Sequence, residues 1–241
     1  MRVSIVVPAF NEEKLIAQTL AAIGAAAAAF VHRGWETEVI VCDNNSTDRT
    51  PELARAAGAT VVFEPVNQIS RARNAGAGAA RGDWIVFVDA DSQPTRELFD
   101  DAAQAMVSGD CLAGGATIRY DTERLDVRVP LAIWNRVSRL MKWVAGSFIF
   151  CEAGAFREIG GFSQNLYAAE EVDFIRRLKP VARARRKRIV VLHRHPLLSS
   201  ARKAELYRWR EMWLVLFRFA TSRGRSLKSR DDCYPWYDGR R

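Results

Sequence analysis

Four apolar runs alternate with helical segments over the first 110 residues, and no other feature restricts the fold as strongly. The runs are residues 2–7, 38–43, 60–63 and 84–89. Short apolar runs bounded by Gly, Pro or turn residues read as strands buried on both faces. Between the first two, Asn11 predicts a helix N-cap with Glu12 and Glu13 in the first turn, followed by Ile16, Leu20 and Ile23 at helical spacing. Thr50 with Pro51, Ser70 and Thr95 each predict the start of a further helix, and Gly58, Gly82 and Gly109 predict the ends. The order β-α-β-α-β-α-β-α implies an α/β protein, a mostly parallel mixed sheet flanked by helices.

Right-handed crossovers put the carboxyl ends of parallel strands on one side, where ligands bind in open sheets. Three features converge there: the loop 8–13, Asp43 with the turn after it, and Asp89-Ala90-Asp91. Two carboxylates one residue apart repel each other unless a cation lies nearby. Hard oxygen donors suit Mg²⁺ or Mn²⁺, ions commonly shared with substrate phosphates. A solvated Asp-rich turn is the plain alternative. Convergence of three features on one edge favours a ligand site.

Six stretches in this order resemble the family-2 glycosyltransferases of the A-type, Rossmann-like nucleotide-diphospho-sugar transferase fold. They are residues 4–13 (SIVVPAFNEE), 43–50 (DNNSTDRT), Ala72-Arg73-Asn74-Ala75-Gly76, Asp89-Ala90-Asp91, Gly160-Gly161-Phe162 and Glu170-Glu171-Val172-Asp173. The resemblance spans roughly residues 2–200. It implies a nucleotide-binding half (1–110), an acceptor and catalytic half (111–200) and a basic amphipathic extension (201–241). It also implies inverting transfer of a sugar from a nucleotide-diphosphate sugar to a hydroxyl acceptor, on a glycan, lipid carrier or small molecule, in cell-envelope, glycolipid or polysaccharide synthesis.

Carried over by motif, Pro8, Ala9 and Phe10 with Glu12 lie against the nucleobase and Asp43 hydrogen-bonds it. Asp89 with Ala90 contacts the ribose, Asp91 holds the Mg²⁺ or Mn²⁺ on the diphosphate, and Arg73 lies near the nucleotide. Members of the family usually carry Glu-Asp where this chain has Glu170-Glu171, the second residue being the general base. That departure leaves Glu170 and Glu171 both open as base. Physically, a sugar hydroxyl is a weak nucleophile and needs a carboxylate within reach to take its proton. Asp173 is expected to cap or orient the helix that follows. Some members of the wider fold use a late histidine as a metal ligand, which makes His193 the candidate here.

The second half is less legible. Residues 112–120 read as a strand kinked at Gly114-Gly115. From Pro130 to Val144, Ile133, Val137, Leu140 and Met141 keep helical spacing, which predicts a packing helix. Trp134 is the acceptor-side candidate there. Arg202 is a candidate phosphate fork.

Charge divides unevenly. Residues 1–182 hold 19 Lys/Arg and 23 Asp/Glu, a net of −4; residues 183–241 hold 17 and 5, a net of +12. A basic tail suits an anionic partner, a membrane surface among them, or is simply solvated. No recognised nucleic-acid module accompanies the charge. Leu206, Trp209, Trp213, Leu216, Phe217 and Ala220 share a helical face that packs on the domain, dimerises or meets a bilayer. Residues 222–241 are polar and are expected to be mobile. The chain opens directly on a strand and its four cysteines form no Cys-x-x-Cys pair, so the expectation is a cytoplasmic protein, peripheral on a membrane at most. Two other functions compete: a non-catalytic nucleotide-sugar binder or scaffold, and a sugar-phosphate nucleotidyltransferase. The latter class opens with a Gly-rich loop after the first strand, and the loop here, residues 8–13, has no glycine.

Overall fold

The computed structural model describes residues 1–202, 226–233 and 237. The first half follows the expected alternation: β1 (Arg2–Ala9), α1 (Ile16–Val31), β2 (Glu36–Asp43), α2 (Thr50–Ala56), β3 (Thr60–Phe63), α3 (Ile69–Ala79) and β4 (Trp84–Val88). A two-residue β5 (Ser92–Gln93) and α4 (Arg96–Val107) complete it. β6 (Cys111–Tyr120), α5 (Leu125–Met141), β7 (Phe148–Glu152), α6 (Ala153–Glu158), α7 (Glu170–Ala184) and β8 (Arg188–Ser199) form the rest.

One eight-stranded sheet has the order β3-β2-β1-β4-β7-β6-β8-β5. β3, β2, β1 and β4 are parallel, whereas β7 runs antiparallel to both β4 and β6. β1 and β2 pair in register from Arg2↔Glu36 to Ala9↔Asp43, so their carboxyl ends finish level. All five residues of β4 are buried, as its unbroken apolar run requires. Two apolar layers flank the sheet. One centres on Phe30, Phe99, Phe148 and Phe150; the other on Phe87, Phe156, Phe162 and Phe174. Gly115 lets β6 approach closely, since a Cβ there would lie 2.7 Å from the Phe148 carbonyl oxygen.

Several local expectations are corrected. Asn11 does not cap α1, which begins at Ile16 after Leu15. Asn11 instead takes a positive φ of 53° and its Oδ1 accepts the Thr47 N–H at 2.8 Å. A tertiary hydrogen bond outcompetes the local cap. α3 starts one residue before Ser70, behind an extended Gln68. Thr95 does cap α4, its Oγ1 accepting the Leu98 N–H. The irregularities of β6 lie on either side of Gly114-Gly115, between Cys111 and Ala113 and between Ala116 and Ile118.

α5 departs furthest from expectation. It begins at Leu125, runs through Pro130, and ends where Lys142 turns left-handed. Its apolar residues do not pack inward: Ile133 is 61% and Leu140 78% exposed. Asn135 and Ser138 face the body instead. Asn135 donates to the Ile118 carbonyl and accepts the Ile118 N–H, completing the ladder where β6 is irregular.

Of the polar end, residues 222–225, 234–236 and 238–241 lie outside the described residues, whereas the described ones pack on the body. Tyr167 N–H donates to the Leu227 carbonyl, Cys233 is fully buried, and Tyr237 is 7% exposed. The apolar stretch Leu206–Ala220 lies outside the described residues. Among the described residues no helix is long and apolar enough to cross a membrane.

Candidate active site

A cleft opens at the carboxyl ends of the parallel strands. Pro8, Ala9, Phe10 and Glu12 line it from the loop after β1, and Asp89, Ala90 and Asp91 from the end of β4. Its floor is preassembled. The Asn11 and Glu13 N–H groups donate to Ser46 Oγ and Asp48, and the Glu12 N–H donates to Thr50 Oγ1. The loop after β1 and the turn after β2 are thus stitched together. Asp43 is buried at the end of β2, where its carboxylate accepts the Ser46 N–H at 3.0 Å. It does not line the cleft; its neighbour Asn44 does.

Arg73 is the hub between the two halves. It is 1% exposed, donates to Glu170 at 2.6 Å and to Asp89 at 3.1 Å, and also reaches the Gly146 carbonyl. Its guanidinium lies over the Phe162 ring, 5.2 Å from the centroid. Burial alone would lower its pKa, but Asp89, Glu170 and Glu171 together raise it above the ordinary value. Arg73 is therefore a structural cation rather than a lining residue of the cleft.

This pairing separates the two glutamates. Glu170 is engaged with Arg73. Glu171, one residue on in the first turn of α7, has its pKa raised above the usual carboxylate range, by burial first and by the Glu170 charge second. It sits beside Gly146, where a Cβ would lie 3.6 Å from the Glu171 carboxyl carbon. Asp173 pairs with Arg177 and Arg176 on its own helix.

The neighbouring motif locks this hub from below. Asn74 Nδ2 donates to the Phe162 carbonyl and Asn74 Oδ1 accepts the Phe162 N–H. Gly161 has φ +70°, and a Cβ there would lie 2.5 Å from Asn74 Oδ1. Gly161→Ala therefore combines a left-handed penalty with a broken clamp. It should cost about 2 kcal/mol, read as a lower urea midpoint with an unchanged slope.

On the opposite wall, Arg202 forms a salt bridge with the buried Glu12 at 2.9 Å and lies 3.8 Å from Asp91. Tyr120, at the end of β6, feels the same charges: burial, then Asp91 and Asp89, raise its pKa. His193 lies in the middle of β8, where the pairing with β6 slips between Ala116↔Leu192 and Ile118↔Leu197. It is exposed, contacts the Val191 carbonyl, and belongs to no group of three potential metal-binding side chains among the described residues. Trp134 stands outside the cleft, its ring 6.5 Å from that of Trp143.

Sequence reasoning missed Asn44, Asn67, Ile69 and Tyr237, all of which line the cleft. Asn44 bonds to the Glu64 and Val66 carbonyls and to the Gln68 N–H, fixing the wall between β3 and α3. The Tyr237 hydroxyl donates to the Tyr167 carbonyl. An asparagine directly after a strand-ending aspartate was the available signal for Asn44. Nothing local marks Tyr237.

Fold and site together define a sugar-nucleotide transferase architecture: strand-end carboxylates on a parallel half-sheet, joined through a buried arginine to a glutamate pair on a later helix. A family model described as Glycosyl transferase family 2 matches residues 4–159, and the chain belongs to that family. The match ends before Glu170. An uncharacterized glycosyltransferase of Mycobacterium tuberculosis is 39% identical over 89 residues, 37% of this chain and 36% of that protein. The succinoglycan biosynthesis protein ExoO of Rhizobium meliloti is 32% identical over 142 residues, 53% of this chain and 39% of that protein. These alignments cover well under half of either relative's length. Among solved structures, the mannosyltransferase PcManGT of Pyrobaculum calidifontis, in complex with GDP-Man and Mn²⁺, aligns with TM-score 0.67 at 21% identity. That alignment covers 88% of this chain and 59% of that one. S. aureus TarS 1–349 aligns with TM-score 0.65 at 20% identity over 99% of this chain and 79% of that one. Identities this low establish a shared fold.

Proposed function

We infer that the chain transfers a sugar from a nucleoside-diphosphate sugar to a hydroxyl acceptor, with inversion and with a divalent cation. One observation carries this reading: Arg73 ties Asp89, in the cleft, to Glu170 and so holds Glu171 next to it. In this reading the nucleotide lies along Pro8, Ala9, Phe10 and Asn44, with Asp43 behind the base and Asp89 with Ala90 at the ribose.

The residues fit a hard cation. Asp91 offers carboxylate oxygens, and a guanidinium already stands 3.8 Å from it, so the position tolerates positive charge. No group of three potential metal-binding side chains exists among the described residues. Asp91 would therefore share the ion with diphosphate oxygens, as Mg²⁺ and Mn²⁺ commonly allow. When bound, the ion would supply Lewis-acid stabilisation of the departing diphosphate.

Glu171 takes the proton of the acceptor hydroxyl as its oxygen bonds to the anomeric carbon. The bond from that carbon to the β-phosphate oxygen breaks with its electrons on the phosphate. Arg202 would turn from Glu12 towards the developing charge, adding a charge-assisted hydrogen bond. The ligands bound by structural neighbours support the donor class: UDP-GlcNAc in one TarS complex and GDP-Man in PcManGT.

Thermal-shift measurements with UDP, GDP, CDP and dTDP, each with Mn²⁺, Mg²⁺ or chelator, test the donor side. A ligand bound only by the native state raises the melting temperature, by about 2.7 kcal/mol of stability at a hundredfold excess over its Kd. One nucleotide should stabilise the protein in a metal-dependent way, and Asp91→Asn should remove the metal-dependent part. No shift with any nucleotide would refute the donor assignment.

A further inference from the structure

The outward face of α5 is apolar, an arrangement that suits a lipid interface and not water. Leu125, Val129, Ile133 and Leu140 fall within about a quarter of the helix circumference at 3.6 residues per turn. They are 71%, 54%, 61% and 78% exposed. The inward face is anchored by polar groups, with Ser138 1% exposed and Asn135 bonded to Ile118. A helix packed on a domain normally shows the reverse.

Charge around this stripe has one sign towards the helix end. At the start of α5, Arg124 pairs with Asp126 and Arg128 with Glu123, so that end is balanced. Arg136 lies within the stripe, and Arg139 and Lys142 follow it. None of these three forms a salt bridge among the described residues. Lys179 of α7 donates to the Met141 carbonyl at 3.2 Å, which sets the outer side of α7 beside this end. A shallow groove there is lined by Arg176, Lys179, Pro180 and Arg183.

The geometry points to an anionic lipid bilayer as the partner of this face. Leu125, Val129, Ile133 and Leu140 enter the headgroup–acyl boundary, while Arg136, Arg139, Lys142, Lys179 and Arg183 meet lipid phosphates; Arg176 is already paired with Asp173. Apolar area combined with flanking cations is what in-plane interfacial binding requires. Charge complementarity selects this occupant over a second copy of the chain, whose own α5 would oppose like charges. The docked face adjoins the site as well. Gly146, shortly beyond the end of α5, contacts Arg73 and lies near Glu171, so the bilayer would stand beside the side of the cleft that carries the glutamates.

Co-sedimentation of the full chain with phosphatidylcholine vesicles, with and without phosphatidylglycerol, tests the proposal. Binding should require phosphatidylglycerol and weaken as salt rises. Ile133→Glu with Leu140→Glu, both at exposed positions, should reduce the bound fraction by about tenfold or more. Arg136→Glu with Arg139→Glu should weaken binding comparably. The melting temperature and the nucleotide-induced shift of each variant should match the parent, which keeps this outcome separate from that of the transferase reading. Absence of vesicle binding overturns the proposal. So does undiminished binding by both variants, which would assign the membrane contact to another segment such as residues 203–225. A dimer without lipid that Ile133→Glu with Leu140→Glu dissociates also overturns it, in favour of a second copy.

Discussion

Glu171→Gln should lower the turnover of sugar transfer by roughly 10²–10⁴-fold while leaving the nucleotide-induced thermal shift intact. The amide keeps the size and hydrogen-bonding reach of the carboxyl but cannot take the acceptor proton. Glu170→Gln should behave differently, because Glu170 is held by Arg73 at 2.6 Å. Its loss should appear mainly as lost stability. Glu171 also carries a pH signature. Burial and the Glu170 charge raise its pKa, and only the deprotonated form can act as base. The transfer rate should therefore climb with pH through a value above that of an ordinary glutamate, about 4.3. Turnover unaffected in Glu171→Gln would remove it as the base, and a rate already on its plateau at pH 5 would contradict the raised pKa.

Arg73→Met should be the most destabilising single substitution in the site. It leaves the buried Glu170 carboxylate without its cation and removes a partner from Asp89. Breaking a buried pair from one side costs about 3–5 kcal/mol. For a chain of this size that corresponds to a fall in Tm on the order of 10 °C. Adding Glu170→Gln to Arg73→Met should recover part of the loss, since an uncharged partner no longer needs the guanidinium. A double-mutant cycle in calorimetry measures that coupling. Additive losses would mean that the two groups stabilise the fold independently, against the geometry seen here.

The nucleotide half was readable because its constraints are local and redundant. A run such as Trp84–Val88 has no option but a buried strand, and the parallel order follows from the helices between such runs. Asp89 and Asp91 were placed by the end of that strand alone. Where a second partner decided the outcome, the reading failed. Asn11 has the chemistry of a cap, yet Thr47, far along the chain, takes its side chain. α5 shows a helical apolar period that would look the same whether its apolar face turned inward or outward. Tertiary contacts, the Asn135–Ile118 bonds and the buried Ser138 among them, decide the orientation. His193 stands late in the chain, but neither its spacing nor its type reveals that β8 slips its register against β6 around it. Glu170 and Glu171 were recognisable as a pair but not separable, because Arg73 distinguishes them from 97 residues away.

Tyr237 lines the same cleft as Pro8, and its hydroxyl is fastened to Tyr167. Chain growth on the ribosome proceeds from the N-terminal side, and the half that carries Pro8, Asp89 and Asp91 emerges first. That half can complete its strands and most of its hydrogen bonds early. Its cleft nevertheless lacks one wall until residue 237 has emerged and Tyr167 is there to receive it. The cleft is thus closed by a residue that emerges well after the motifs that define the site.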